Sequence, residues 1–313
     1  MWIAYLKMTI ATVLFGSYLV ASKLILEEAP AFTATLIRLL SAALALGLYV
    51  MVRRPGAWRR PGARDCMVLG VQGTLGVFLF SIFAMYGVSM TGGIEAGVIL
   101  SMVPVAMCFV ALIFLKEAPS SRRLLGVAVS VAGAIGINAM AARTAGAGAH
   151  AQVVTGSLLL LCAVICEAVF LTFGKFLERP IAPERLSLIL ALIGAALFVV
   201  PAAMEPRGLL HASYSARTWA LMIYTGLAIN GLAAVLMYDS LDRVDTVVAS
   251  AFTALTPVSG TLLSMLFLGE ALHGYHVSGM VLVVVGVFVV ASDRRSRGEA
   301  SDPPPLAGRP VRG

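Results

Sequence analysis

The chain has 313 residues, of which 59% are apolar and only 12% carry a formal charge. This charged share is about half that of an ordinary soluble domain, which excludes a typical soluble enzyme. The net charge of +7 does not indicate a nucleic-acid-binding protein, because the basic residues lie in connections between apolar runs and not on one face of a water-exposed domain. The four cysteines lie in apolar stretches and predict neither disulfide bonds nor a metal site.

Ten apolar runs approach or exceed the length of about 20 residues that a helix needs to cross a bilayer. They are apolar on almost every face, so they lack the period of two that is typical of outer-membrane strands. The sequence therefore predicts an all-α integral membrane protein with ten transmembrane helices. The predicted spans are 3–26, 31–52, 66–87, 94–115, 124–141, 154–174, 186–203, 218–238, 246–268 and 274–291.

The distribution of basic residues predicts the orientation of these spans. The segments on the same side as the N-terminus carry 17 Lys or Arg residues, whereas the segments on the opposite side carry three. Because basic residues are in excess on the cytoplasmic side, both termini are predicted to be cytoplasmic. The tail at 292–313 is charged and then rich in Pro and Gly, a composition that predicts disorder.

The two halves of the chain contain an internal repeat with an offset of 153 residues. The matched residues are Pro104, Glu117, Gly126 and Gly133, which recur as Pro257, Glu270, Gly279 and Gly286. Since five helices is an odd number, the second copy is predicted to be inverted relative to the first. We therefore expect five-helix repeats at 1–145 and 146–291 around a central cavity, an arrangement that allows a site to open alternately to either side.

The repeated segments also carry a resemblance to a known family. They read EAGVILSMVPVAMCFVALIFLKEAPSSRRLLGVAVSVAGAIGI and ASAFTALTPVSGTLLSMLFLGEALHGYHVSGMVLVVVGVFVV, and an early arginine lies in PAFTATLIRLLSAALAL. Their paired Pro, Glu and Gly pattern resembles the drug/metabolite transporter superfamily in its ten-helix EamA-type branch. The resemblance covers about 3–291, and the size and layout are similar to bacterial exporters of aromatic and other amino acids. It implies a cavity lined mainly by helices 1, 3, 4, 6, 8 and 9.

These features together predict a secondary transporter that exports amino acids or related small metabolites across the bacterial inner membrane. Transport would use alternating access and be driven by the solute gradient or by proton exchange. The alternative is a multidrug exporter of cationic lipophilic compounds, with proton coupling as an option. A membrane enzyme or channel is disfavoured because no catalytic cluster is present. The expected partners are a small solute and lipid, with no cofactor, metal or nucleic acid; the sequence leaves monomer and dimer open.

Ionisable side chains inside the bilayer are costly and therefore candidates for function. Arg38 is either part of a structural ion pair or a binding site for a substrate carboxylate. Glu167 is either a proton or substrate-ammonium site or the structural partner of a cation such as Arg38. Glu95 lies near the outer end of its span and is either functional or hydrated. Lys23 is expected to extend its stem to the headgroups.

Proline, aromatic and amide residues complete the candidate set. Pro104 and Pro257 each free one backbone carbonyl, which predicts a hinge, a contact with a substrate ammonium group or a simple kink. Glu117 and Glu270 are expected to cap the helix that follows each of them. Further candidates for the cavity are Tyr18, Gln72, Phe78, Tyr86, Phe170, Tyr224, Asn230 and Tyr238.

Overall fold

In the computed structural model the chain is described over 2–53, 61–115, 120–144, 146–178, 181–206, 208, 214–241 and 255–291. These residues contain ten helices, in the order of the ten predicted spans, and no strand. The helices are α1 (Trp2–Leu26), α2 (Ala31–Arg53), α3 (Ala63–Met90), α4 (segments Gly93–Leu100, Val103–Val110 and Ala111–Leu115), α5 (Ser121–Thr144), α6 (Gly146–Phe173), α7 (Pro183–Met204), α8 (segments Ala216–Tyr224, Thr225–Ala233 and Ala234–Leu241), α9 (Leu255–Leu268) and α10 (Gly274–Ala291).

The helices have the length and composition of a multi-pass membrane protein. Within the described residues, seven of them, α1 to α4 and α6 to α8, are long and apolar enough to cross a bilayer. Shorter apolar stretches lie in the other three, at Leu124–Ile137, Leu255–Leu268 and Gly274–Val289. The all-helical prediction is confirmed, although α6 begins at Gly146 and not near 154. The first part of the predicted span 246–268 and the tail 292–313 lie outside the described residues.

Successive connections lie alternately at the two ends of the bundle. We call end A the end that holds the connections α1–α2, α3–α4, α7–α8 and α9–α10. Contacts between helix ends that are distant in the chain define end A, such as Phe32 N donating to Glu205 at 2.9 Å. At the opposite end, end B, Glu178 N donates to Asp65 Oδ1 at 2.9 Å and joins the α6–α7 connection to the start of α3.

The helix contacts made by one half correspond to those made by the other half when the offset of 153 residues is applied. Helix α2 packs with α7, and α5 packs with α10. Helix α1 packs with α8 and α9, whereas α6, its counterpart in the repeat, packs with α3 and α4. The π-helical stretches Gln72–Leu79 of α3 and Thr225–Ala233 of α8 also begin 153 residues apart. These paired features support the proposed repeat.

Helices α1 and α6, which correspond in the proposed repeat, are packed differently at the two ends of the bundle. Helix α1 contacts the end-A segments Phe80–Met90 of α3 and Gly93–Leu100 of α4. In the part of the chain that the structure describes, α6 does not pack to a comparable extent on the end-B segment Ala234–Leu241 of α8. Among the described residues, α1 therefore packs more extensively on its neighbours at end A than α6 packs on α8 at end B.

Candidate functional site

A small crevice lies where α1, α2, α3 and α8 meet, in the half of the bundle nearer end A. Its free volume is about 10 Å³, which is about the space that one water molecule needs. An amino acid does not fit, so the crevice is closed in this conformation. Its lining side chains are Tyr18, Ser22, Ile25, Ala34, Thr35, Arg38, Met85 and Thr225.

Helical spacing and one close helix contact place these groups together. Tyr18 and Ser22 are four residues apart, so they lie on the same side of α1. Gly226 allows α8 to approach α2 closely, because a Cβ atom at this position would overlap with the Ser41 hydroxyl and the Arg38 carbonyl. The glycine therefore helps to bring α8 against the helix that carries Arg38.

Arg38 is the charged group of the crevice, and only 6% of the residue is exposed. Its Nη2 donates to Ser81 Oγ at 2.8 Å, and its guanidinium carbon lies 5.2 Å from the centre of the Tyr18 ring. Among the described residues no carboxylate pairs with Arg38, so the structural ion pair that the sequence left open, including one with Glu167, is not formed there. A buried cation without a counter-charge is costly, and an anionic ligand would offset that cost.

Three buried polar atoms of this crevice have no hydrogen-bond partner among the described residues. They are the Tyr18 hydroxyl, Ser22 Oγ and Arg38 Nε. Most buried polar groups in proteins are hydrogen-bonded, so three such atoms in one crevice call for an explanation. All three can donate a hydrogen bond, which suits a ligand with several acceptor oxygens, such as a carboxylate.

Two further predicted residues lie on α8 beside the crevice. The Tyr224 hydroxyl is 2.7 Å from Ser17 Oγ, next to Tyr18 in the chain. Asn230 lies in the π-helical stretch of α8, is half-buried, and forms no hydrogen bond through its side chain with the described residues. An amide at this depth needs a polar partner such as a ligand or water. The side chain of Tyr238 lies outside the described residues.

The predicted residues of α3 occupy three different environments. Gln72 is buried, and its Nε2 donates to the Phe170 carbonyl at 2.9 Å, while its Oε1 is buried without a partner in the described part of the chain. Phe78 packs in the core between α2 and α7, with its ring centre 4.7 Å from that of Phe198. Tyr86 is 38% exposed. The structure thus places Gln72 and Phe170 together, whereas Phe78 and Tyr86 lie apart from the crevice around Arg38.

Glu167 lies on the side of α6 that faces the protein interior. Ala163 and Val164, one turn earlier on the same side, are fully buried, but Glu167 itself is half-buried. Its carboxylate forms no hydrogen bond or ion pair with the described residues. An acidic group without a partner among the described residues is available to a solute or a proton.

The register of α3 and α6 shows the depth of Glu167 relative to Arg38. Two contacts fix that register, Gly87 with Leu160 and Gly76 with Phe170. Along these antiparallel helices, Glu167 lies opposite a position about two residues from Ser81, which is roughly 3 Å at 1.5 Å per residue. Because Ser81 is the partner of Arg38, the acidic and basic groups lie at nearly the same level of the bundle.

Glu95 lies in a separate surface pocket of about 210 Å³ at end A. Its Oε1 is 3.0 Å from Nε2 of His276. The other ring nitrogen of His276, Nδ1, accepts from His273 N at 3.1 Å, so the proton is on Nε2 and is donated to Glu95. The described residues contain no group of three or more His, Cys, Asp or Glu side chains that could hold a metal ion.

The two prolines occupy different positions in their helices. Helix α4 is interrupted at Ser101 and Met102, immediately before the segment that contains Pro104. This interruption lies where the missing hydrogen bond of the proline was expected to weaken the helix. Pro257 is buried in the first turn of α9 as described, and the residues that precede this helix lie outside the described part of the chain. A hinge at either proline remains a prediction.

Two predictions about charged groups at span ends are wrong. Lys23 does not extend freely to the headgroups, because its Nζ lies 3.0 Å from Glu270 Oε1. Glu270 does not cap α10, the helix that follows it, but accepts hydrogen bonds from Gly93 N and Ile94 N at the start of α4. Glu117 lies outside the described residues. Sequence reasoning also missed Ser22 and Ser81, since an isolated serine in an apolar helix carries no distinctive signal.

Comparison with known proteins identifies the family. The profile of the EamA-like transporter family matches the chain twice, at residues 2–139 and 154–292. The chain belongs to the EamA-like transporter family. Its fold is similar to that of a protein solved by crystallography, with a TM-score of 0.65 and 19% identity over 92% of this chain and 98% of the other.

Two curated relatives of this EamA-like transporter span most of its length. It is 30% identical to the uncharacterized transporter YetK of Bacillus subtilis, over 93% of this chain and 88% of the relative. It is 25% identical to a probable terminal-alkyne amino-acid exporter of Streptantibioticus cattleyicolor, over 86% of this chain and 87% of the relative. The names of the family and of these relatives point to a transporter and not to an enzyme.

Proposed function

We propose that this EamA-like transporter exports amino acids or related small metabolites that carry a carboxylate. The observation that carries the proposal is Arg38, a buried cation that has no carboxylate partner among the described residues. A guanidinium group binds a carboxylate through two parallel hydrogen bonds. The hydroxyls of Tyr18 and Ser22, which form no hydrogen bond with the described residues, supply further donors in the same crevice. The similarity to a probable amino-acid exporter supports the same substrate class.

Glu167 supplies the complementary charge for the amino group of such a solute. It lies at nearly the same depth as the Arg38 partner Ser81, and its carboxylate is free of hydrogen bonds to the described residues. A zwitterion held between Arg38 and Glu167 would have both charges compensated inside the bilayer, where an isolated charge is costly. Recognition of both the carboxylate and the amino group would distinguish amino acids from simple acids and simple amines.

Transport in this proposal proceeds by alternating access. The crevice at Arg38 holds about one water molecule, so a solute requires a conformation in which the helices around it have moved apart. Inverted repeats provide two such conformations, because the two halves can exchange their arrangements. The helix contacts that correspond between the two halves, and the π-helical stretches 153 residues apart, support repeats at 1–145 and 146–291.

The proposed location is the inner membrane of a bacterium, with both termini in the cytoplasm. The support is the excess of basic residues in the segments on the N-terminal side. End A, which holds the α1–α2 and α9–α10 connections, then faces away from the cytoplasm. The closed crevice near end A thus corresponds to a conformation shut toward the outside.

A second candidate function is the export of cationic lipophilic drugs. The specific observation in its favour is Glu167, a carboxylate on the interior side of α6 that pairs with none of the described residues. For this function Glu167 alone would bind the solute. Arg38 would repel the cationic drug, because the guanidinium group and the drug both carry positive charge. The two candidates therefore differ in what removal of Arg38 does to binding.

Ligand-induced stabilisation of the purified protein tests the proposal. A panel of amino acids and lipophilic quaternary amines is screened for compounds that raise the melting temperature, since a ligand that binds only the folded state stabilises it. We expect an amino acid to do so and its carboxamide not to do so. Arg38→Gln should abolish the effect, whereas Arg122→Gln, a change at an exposed position, should leave it intact. Stabilisation by the amines alone, retained in Arg38→Gln, would favour the second candidate.

A further inference from the structure

Three carboxylates at end A each join the end of one helix to the start of another. The first is Glu28, in the turn after α1. It accepts a hydrogen bond from Ser215 N at 3.0 Å and from the Thr218 hydroxyl at 2.8 Å. Ser215 is the N-cap residue of α8. Glu28 therefore ties the end of α1 to the first turn of α8.

Glu205 makes the equivalent contact between α7 and α2. It follows the last residue of α7 directly. Its two carboxylate oxygens accept from Phe32 N at 2.9 Å and Thr33 N at 2.8 Å, in the first turn of α2. The Thr33 hydroxyl adds a third hydrogen bond at 2.9 Å. Two otherwise unpaired N–H groups at the start of a helix are thereby satisfied.

Glu270 makes the third tie, between α9 and α4. Gly269 ends α9 in the left-handed conformation, with φ of 67°, and turns the chain toward α4. Glu270 then accepts from Gly93 N at 2.7 Å and Ile94 N at 3.0 Å. Lys23 of α1 adds an ion pair at 3.0 Å. One carboxylate thus holds three helices together.

Helix starts favour negative charge, because their free N–H groups and the helix dipole present a partial positive charge. Burial raises the pKa of Glu270, but the Gly93 N–H and the charge of Lys23 outweigh it, so the pKa lies below its ordinary value. Hydrogen bonds from Ser215 and Thr218 likewise lower the pKa of Glu28. Both groups are therefore ionised in the closed arrangement at neutral pH.

Each tie joins a helix of the first half to a helix of the second half, and all three lie at end A. The repeat offset of 153 residues relates Glu28 to Ile181 and Glu205 to Val52, which are apolar. The two glutamates therefore have no acidic counterpart in the other half. Only Glu270 has one in the sequence, Glu117. The hydrogen bonds that Glu28 and Glu205 make at end A are therefore not duplicated at the equivalent positions of the other half.

We propose that Glu28, Glu205 and Glu270 form the gate at end A, and that the hydrogen bonds they make to helix starts hold the resting protein closed at that end. Opening end A separates the two halves there and breaks these bonds. In the proposed orientation the resting protein is then available to solute from the cytoplasm, as an exporter requires. This inference rests on the alternating-access part of the proposed function but not on the solute class.

Accessibility of a cysteine in the crevice tests the gate. Ser22→Cys is introduced after replacement of the native Cys66, Cys108, Cys162 and Cys166 by serine. A membrane-impermeant maleimide is added to spheroplasts or to inverted vesicles, so that each end is probed separately. We expect Glu270→Gln or Glu205→Gln to raise the labelling rate from the end-A side about tenfold, since the amide loses the charge-assisted hydrogen bonds.

Glu27→Gln is the matched control, because Glu27 is an exposed end-A carboxylate that makes no hydrogen bond with the described residues. It should leave the labelling rate unchanged. If Glu270→Gln does not yield monodisperse protein, Lys23→Gln replaces it in the experiment. Lys23→Gln removes only the ion pair with Glu270 and should also raise the labelling rate from the end-A side. Folded gate variants labelled at the control rate from both sides would overturn the proposal. Since labelling needs no solute, an error in the substrate class would leave this result intact.

Discussion

The hydroxyl of Ser130 donates a hydrogen bond to the backbone carbonyl of Val283 at 3.3 Å, and the two residues are 153 positions apart. This is the offset that relates the two halves of the sequence. Equivalent residues of two copies can contact each other only where the axis that relates the copies passes between them. The contact between α5 and α10 therefore lies on the approximate symmetry axis of the proposed repeat.

Glycines around this contact allow α5 and α10 to approach closely, and they provide a first prediction. A Cβ atom on Gly133 would lie 2.8 Å from the Gly279 carbonyl, whereas one on Gly136 would meet nothing within 4 Å. Gly133→Ala should therefore destabilise the protein by about 1–3 kcal/mol through overpacking. Gly136→Ala should be neutral or stabilise it by up to about 1 kcal/mol. Melting temperatures in detergent compare the two; equal shifts would contradict the observed packing.

The helices could be predicted from the sequence because they depend on a simple requirement. Bilayer thickness demands long apolar runs, so the order of the ten helices follows from hydropathy. The start of α6 at Gly146 was missed because the residues before 154 are small and weakly apolar. Arg38 is a candidate for a similar reason, since a charge within an apolar helix stands out.

The partners of the charged groups could not be predicted, because they come from helices far apart in the chain. Glu28 contacts Ser215, and Glu270 contacts Gly93, at sequence separations of 187 and 177 residues. The sequence contains the acidic residue and the helix start but no sign that they meet. The absence of an ion pair between Arg38 and Glu167 in the described residues likewise depends on how α2 and α6 are arranged across the bundle.

Acidification should weaken the ties at end A. The pKa values of Glu28 and Glu270 are lowered in the folded protein from the ordinary value of 4.5. Their contribution to stability is therefore present above about pH 4.5 and is lost as the pH falls through the lower folded-state values. We expect the melting temperature to drop less between pH 6 and pH 3.5 in Glu28→Gln/Glu270→Gln than in the wild type. An equal drop in both proteins would exclude these two groups as the cause.

Glu167→Gln should fold normally and change recognition of the solute. Because Glu167 forms no ion pair with the described residues, the variant leaves no partner charge unpaired, and the penalty of about 3–5 kcal/mol for breaking a buried pair should be absent. The variant should lose its preference for an amino acid over the analogue without the amino group. If Glu167 also couples export to protons, the pH dependence of net transport should disappear. Glu178→Gln, at an exposed end-B position, is the control, and a Glu167→Gln protein with wild-type recognition and pH dependence would refute both roles.

The orientation of the chain can be tested with fusions at the C-terminus. The 17-to-3 distribution of basic residues predicts a cytoplasmic C-terminus. A fluorescent reporter that folds only in the cytoplasm should be bright when fused there, and a phosphatase that is active only in the periplasm should be inactive. The opposite pair of results would reverse the orientation and would place end A on the cytoplasmic side.

Counterflow in proteoliposomes tests the central claim most directly, because it measures exchange of a solute without requiring a driving gradient. Vesicles are loaded with unlabelled amino acids, and uptake of the radiolabelled compound is followed for the wild type, Arg38→Gln and Arg122→Gln. We predict accumulation of an amino acid by the wild type and by Arg122→Gln, and a loss of at least about tenfold in Arg38→Gln, the factor for about 1.4 kcal/mol of lost binding. Undiminished counterflow of the amino acid by a folded Arg38→Gln protein would contradict the assignment of Arg38 as the carboxylate site.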